Sequence, residues 1–200
     1  MKIKRSKAIA YNYLKDIKYK ERETGYLYYH GLRVANLSLN LANMLGDLSN
    51  NTKERMYIAA IFHDVAKGRE PHNLTGAIKT KNLLKQVLSQ QEINEIARLI
   101  YYHNRRGNDN LHLETKILQD ADIIDHTGTL DVWLGMHYVV DEDLSPKQAL
   151  KFFLGGSWHQ MVVQQRAKLN FPLSKRVYDK RVYYAEKFFK KMAWEMKGKL

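Results

Sequence analysis

The sequence predicts an all-α fold of about eight or nine helices, and three observations carry that prediction. Only three prolines and eleven glycines interrupt 200 residues, so long helices are allowed. Apolar residues return at intervals of three and four, the spacing of a helix face. No alternating run of β-branched residues lies between hairpin turns, so strand signals are weak.

The first clear helix is predicted over about residues 25–45, where His30, Val34, Leu37, Leu41 and Leu45 recur at helical spacing and Gly46 can end it. Asn50, Asn51 and Thr52 offer caps for a second helix that runs to about Lys67 and stops at Gly68. Pro71 breaks the chain before a third, over roughly 73–88. Ser89 and Glu92 form a capping-box pattern for a fourth, which carries Tyr102 and His103 at its end. After a polar loop, 104–110, further helices are expected over about 114–125, 130–140, 146–154 and 158–169. Ser145-Pro146 marks one of those starts as N-cap and first helical residue. A long basic helix closes the series over about 174–196. One domain is expected, with a core over about 26–140 and a helical extension over about 145–197.

Composition narrows the function. Hydrophobic residues make up 44 % of the chain, enough for a packed core and too many for a disordered one. The absence of cysteine excludes disulfides, thiolate metal sites and cysteine nucleophiles. No run approaches the roughly 20 apolar residues of a membrane helix. No signal-type segment follows the basic start, so a cytoplasmic protein without membrane contact is expected. The formal charge of +12 favours anionic partners. It concentrates in Lys2, Lys4, Arg5 and Lys7, and again in Lys175, Arg176, Lys180, Arg181, Lys187, Lys190 and Lys191.

The adjacent pair His63-Asp64, placed after Ile58, Ala59, Ala60, Ile61 and Phe62, is the most informative feature. His30 lies in register with an apolar stripe and therefore faces inward. Acidic residues recur in Gln119-Asp120-Ala121-Asp122-Ile123-Ile124-Asp125. Burying such groups without partners would cost several kcal/mol, and a shared metal ion removes most of that cost. Mixed imidazole and carboxylate donors suit Mn, Fe, Zn or Ni better than calcium, and Co and Mg are further candidates for the divalent metal. Periodicity does not decide between Asp120 and Asp122, since both faces flank the apolar ridge.

His30, His63-Asp64 and Asp122 together resemble the H…HD…D signature of HD-superfamily metal phosphohydrolases. A subgroup of small, stand-alone bacterial HD proteins is similar in further segments: His30-Gly31-Leu32-Arg33-Val34, the run Leu118 through Asp122, and Arg181 with the helix to Glu195. The resemblance covers roughly Tyr26 to Glu195. It implies an HD-domain helical bundle and a metal-dependent hydrolase of nucleotides or related phosphates, with a metal-activated water attacking phosphorus. It also selects Asp122, in its Ala-Asp step, as the last of the ligands His30, His63, Asp64 and Asp122. Asp120 is then a cap or surface residue.

Lys67 is expected beside His63 and Asp64 and suited to a phosphate oxygen, as is Arg33, one turn from His30. Related HD proteins use extra histidines for a second metal or for phosphate, which points to His72 and His103. Related HD proteins carry an acidic residue near Lys67 that positions the attacking water; none occurs in Val65 to Gly68 and Glu70 falls in an expected loop, which leaves the acid-base role to Asp125 or to a metal-bound hydroxide. His112, His126, His137 and His159 read as structural or surface residues. Two other functions compete. One is a phosphodiesterase on the same site. The other is a nucleic-acid-binding module with a vestigial site, using the basic last helix and its Tyr178, Tyr183, Tyr184, Phe188 and Phe189.

Overall fold

Serine side chains set three of the helix starts. Ser49 Oγ accepts the backbone N–H of Thr52 at 3.2 Å, so the cap of that helix is Ser49 and not one of the three residues after it. Ser89 with Glu92, and Ser145 with Gln148, close full capping boxes, and Pro146 follows the second one as the first helical residue. Each such cap is worth about 1 kcal/mol and fixes where the next apolar face begins.

The structure is a computed structural model that describes residues 1–20, 22–46, 48–107 and 110–199. The described residues form ten helices, one more than the upper expectation, and no strand. The chain divides into two compact units, Met1–Asp122 and Ile123–Leu200.

The first unit contains α1 (Lys2–Leu14), α2 (Tyr26–Leu45), α3 (Asn50–Phe62), α4 (His72–Leu84), α5 (Gln90–Tyr102) and most of α6 (Leu113–Asp125). The sequence reading lacked α1, whose inward face is the sparse set Ser6, Ala10 and Leu14 among lysines and arginines. That spacing of four is helical, but two of its three residues are small, so the hydrophobic signal is faint. Lys2 is not a free surface cation; its Nζ pairs with Glu92 Oε1 at 2.5 Å and ties α1 to the start of α5. Val34 and Ala35 of α2, Met56 and Ala59 of α3, and Ile96 and Ile100 of α5 are buried, and α3 packs against both α2 and α5. At the crossing of α2 and α3 an added Cβ on Gly31 would lie 2.6 Å from the carbonyl oxygen of Ile61. Only glycine allows this approach, which brings His30 beside the end of α3.

In the second unit α7 (Thr129–Asp141), α8 (Pro146–Leu154) and α9 (Ser157–Ala167) pack with α10 (Pro172–Glu195). Phe153 stacks on Phe189 at 3.8 Å between centroids, with the Trp158 ring 6.2 Å from Phe189. Tyr178, also buried, donates its hydroxyl to Val162 O at 3.1 Å. Two of the six aromatics of α10 therefore serve the core, while Tyr183, Tyr184, Phe188 and Trp194 are exposed. Arg181 donates from Nη1 to Ile124 O at 2.8 Å and so caps the last turn of α6. No described helix is long and apolar enough to cross a membrane.

Candidate metal centre

α3 ends at Phe62, five residues before the expected end at Lys67, with His63 as its C-cap. The backbone then tightens into successive three-residue turns: Val65 N–H to Phe62 O, Lys67 N–H to Asp64 O and Arg69 N–H to Ala66 O, at 2.9–3.0 Å. His63 and Asp64 therefore project from a tight turn and not from a regular helix. That turn directs His63, Asp64 and Lys67 to one side, which ideal helical geometry would not do for neighbours.

Four donor atoms converge there. His30 Nε2 lies 3.2 Å from His63 Nε2, 3.8 Å from Asp64 Oδ2 and 3.4 Å from Asp122 Oδ1. His63 Nε2 lies 3.6 Å from both of those carboxylate oxygens. Donors sharing an ion at roughly 2.1 Å stand about 3.0 Å apart at right angles and about 3.4 Å apart at the tetrahedral angle. The two shorter separations, 3.2 and 3.4 Å, fall in that range, and the other three, 3.6–3.8 Å, lie up to about 0.4 Å beyond it. His30 and His63 are fully buried and Asp64 is 5 % exposed, so the cluster has little water to screen it.

The imidazole tautomers are set by backbone and carboxylate acceptors. His63 Nδ1 lies 2.7 Å from Ala60 O, which can only accept, so Nδ1 carries the proton and a neutral ring offers a bare Nε2. His103, the C-cap of α5, repeats the arrangement with Nδ1 2.5 Å from Ile100 O. His72 turns its Nδ1 to the carboxylate of Glu70, at 3.0 Å from each oxygen. Its Nε2 is buried without a hydrogen-bond partner. Both remaining Nε2 atoms face the other oxygen of Asp64: Oδ1 lies 3.6 Å from His72 and 3.7 Å from His103. His30, His63, His103 and His72 thus form a row with neighbouring ring centroids 5.0–5.3 Å apart.

Two three-donor sets capable of holding a metal ion share Asp64: His30, His63 and Asp64, and Asp64, His72 and His103. The donor chemistry fits a divalent ion. Bare imidazole nitrogens, carboxylates and an orphaned buried nitrogen are an unfavourable assembly that a cation compensates.

Electrostatics agree with that geometry. Burial alone would raise the Asp64 carboxyl, but His63, Lys67 and His30 outweigh it and hold it below the ordinary carboxylate range. Burial, reinforced by His63, pulls His103 down to about 4, so this ring is neutral at pH 7. Lys67 Nζ sits 3.2 Å from Asp64; burial opposes its charge, and Asp64 and Asp122 override that to raise its pKa.

The other expected residues are distributed as follows. Asp122, 14 % exposed, is the aspartate that presents an oxygen to His30 and His63. Asp120 is fully buried, contrary to the expected cap or surface position. From Ile117 to Ala121 no residue of α6 is more than 1 % exposed, so even its polar residues are enclosed. Asp125 is also buried, one turn past Asp122 on α6 and in the second unit. The Arg33 guanidinium lies 6.0 Å from the Tyr26 ring, which is itself stacked on His30 at 5.6 Å. His112, His126 and His159 are exposed, and His137 is half-buried against Trp133.

Three residues to which the sequence assigned no role complete the site. Arg106, from the polar loop, donates from Nη2 to Asp122 Oδ2 at 2.8 Å. Gln119 holds that loop by donating from Nε2 to Tyr102 O at 2.8 Å and Arg105 O at 3.2 Å. Glu70, besides binding the His72 ring, accepts the His72 backbone N–H at 3.1 Å and supplies the anion at the start of α4. Only the position of Glu70 two residues before a histidine could have hinted at this; the other contacts span 14–17 residues of sequence.

Residues 27–127 match the model of the HD domain, just over half the chain. The chain belongs to the HD domain family. Among solved structures, an HD-superfamily hydrolase from Bacillus thuringiensis is 20 % identical with a TM-score of 0.70, the match covering 98 % of this chain and 97 % of that one. A predicted HD-superfamily hydrolase from an uncultured Thermotogales bacterium is 18 % identical with a TM-score of 0.63, covering 96 % and 92 %. Bacillus subtilis YpgQ in complex with ADP is 14 % identical with a TM-score of 0.65, covering 95 % and 97 %. No curated protein matches the chain. At these identities the likeness establishes the fold, which is that of the HD-superfamily hydrolases.

Proposed function

We propose that this protein is a metal-dependent phosphohydrolase acting on a nucleotide or a related phosphate ester or anhydride. The observation that carries the proposal is that His30 and His63 stand 3.2 Å apart and that each lies 3.4–3.8 Å from a carboxylate oxygen of both Asp64 and Asp122. These four residues would hold a divalent ion, which when bound supplies a Lewis acid for the phosphoryl oxygens and lowers the pKa of a coordinated water. The HD fold supports the proposal, as does the ADP held by the similar YpgQ structure.

The protein's own residues supply positioning and charge. Lys67, bonded to Asp64 and partly open to solvent, binds a phosphate oxygen and stabilises charge that grows during the reaction. Arg33 acts as a further cation for substrate from the His30 helix. His72 and His103, expected at a second metal or at the phosphate, turn Nδ1 to Glu70 and to Ile100 O and Nε2 to Asp64, an arrangement that favours a second ion shared with Asp64. That second set also favours the phosphodiesterase alternative, because paired ions suit in-line displacement at a diester.

The test is release of phosphate or pyrophosphate from a panel of nucleoside mono-, di- and triphosphates and cyclic nucleotides with added manganese. Turnover of at least one, abolished in Asp64→Ala, is the expected result. No turnover of any of them by metal-loaded protein would remove the nucleotide reading.

A further inference from the structure

We propose that Arg106 binds the phosphate of the substrate, adding a cation to those already assigned to it, Lys67 and Arg33. This rests on the phosphohydrolase reading and extends it to a residue outside the metal-ligand motif. Each carboxylate of the centre is bonded on one side to a cation: Asp64 to Lys67 at 3.2 Å and Asp122 to Arg106 at 2.8 Å. The Arg106 bond uses Oδ2 of Asp122, while Oδ1 of the same group faces His30 and His63. The guanidinium is therefore separated from the candidate metal centre by a single carboxylate.

Its remaining donors are the reason to assign it to the substrate. Arginine presents five N–H groups in a planar fork that matches phosphate oxygens. The Arg106 Nε is buried and has no hydrogen-bond partner, an unsatisfied donor beside the site. The side chain is 22 % exposed, so the group is reachable from solvent, unlike the buried histidines. Its neighbour Arg105 is turned away, stacked over Tyr101 at 4.0 Å. The loop is also anchored. Gln119, one turn before Asp122 on α6, holds the carbonyls of Tyr102 and Arg105, which fixes the chain just ahead of Arg106.

Charge counting gives the substrate class. Among the groups in direct contact at the first ion site, two carboxylates (−2), one divalent ion (+2) and Lys67 with Arg106 (+2) leave +2, and Arg33 or a second ion only adds to it. That balance suits a condensed phosphate, such as a nucleoside diphosphate or triphosphate, better than a singly charged diester.

The experiment is calorimetric titration of inorganic pyrophosphate into full-length, manganese-loaded protein, with metal content measured in parallel. Wild type, Arg106→Met and Arg106→Lys are compared. Loss of a charge-assisted contact should weaken pyrophosphate binding roughly 10- to 100-fold in Arg106→Met. Arg106→Lys should recover part of that loss, and both variants should keep the manganese content of wild type. Unchanged pyrophosphate affinity in Arg106→Met would overturn the assignment. Loss of manganese together with pyrophosphate would also overturn it, because Arg106 would then act by positioning Asp122. Wild-type protein that binds manganese but not pyrophosphate would refute the phosphate role and leave the metal centre standing. Failure to bind manganese would refute the reading beneath it.

Discussion

The Nε2 atoms of His30 and His63 stand 3.2 Å apart, although one belongs to the middle of α2's first half and the other to the cap of α3. Gly31 makes that spacing possible, because any side chain there would strike the Ile61 carbonyl. Gly31→Ala should destabilise the fold by about 1–3 kcal/mol, the range for overpacking, and weaken manganese binding as the two histidines separate. Gly76 is the control: its added Cβ would meet nothing closer than 3.5 Å. Gly76→Ala, at an uncrowded helical position, should leave stability unchanged or raised by about 0.5–1 kcal/mol. Chemical denaturation of both variants decides; equal losses would contradict the role given to Gly31.

Glu70 should matter through His72. Removing the carboxylate in Glu70→Ala frees the Nδ1 proton to move and the ring to rotate. Loss of such an outer hydrogen bond typically weakens metal affinity 10- to 100-fold. Manganese titration should show weakening confined to a second binding step, with the first step as in wild type. A single, unaltered binding step in both proteins would contradict the second ion.

Lys67 should act on substrate and not on metal. Lys67→Met removes a phosphate contact and one charge, so kcat/KM should fall by roughly 10- to 100-fold while the manganese content is retained. A variant with unchanged kcat/KM would assign Lys67 to the Asp64 ion pair alone.

The tie between α1 and α5 should be acid-labile. Lys2 and then Ser89 hold the Glu92 carboxyl down, from an ordinary value of 4.5 to about 2. A depressed folded-state pKa stabilises the protein above the unfolded value and loses that contribution as pH falls through the folded one. Stability should therefore decline between about pH 4.5 and 2 with a share that Glu92→Gln abolishes. Identical acid profiles for the two proteins would contradict it.

The parts legible in the sequence were those written in local spacing. Capping boxes at Ser89 and Ser145, the apolar stripe of α2 and the scarcity of proline marked most helices. The His63-Asp64 pair marked the chemistry. Features formed by contact between distant segments were not legible. Arg106 reaches Asp122 only because Gln119 holds the loop, and no periodicity encodes that. The end of α3 was misjudged because helical propensity continues through Val65-Ala66-Lys67, whereas the chain turns to aim His63 and Asp64 at His30. α1 was missed because its buried face is mostly small residues among cations.

The central claim is that His30, His63, Asp64 and Asp122 form a metal centre, and metal analysis tests it most directly. Chelator-stripped protein would be reloaded with manganese, freed of excess and measured by elemental analysis alongside His63→Ala. Wild type is expected to hold at least one ion per chain, lost from the centre in His63→Ala while the helical content is kept. Wild-type protein that retains no metal, or a His63→Ala variant that retains as much as wild type, would contradict it.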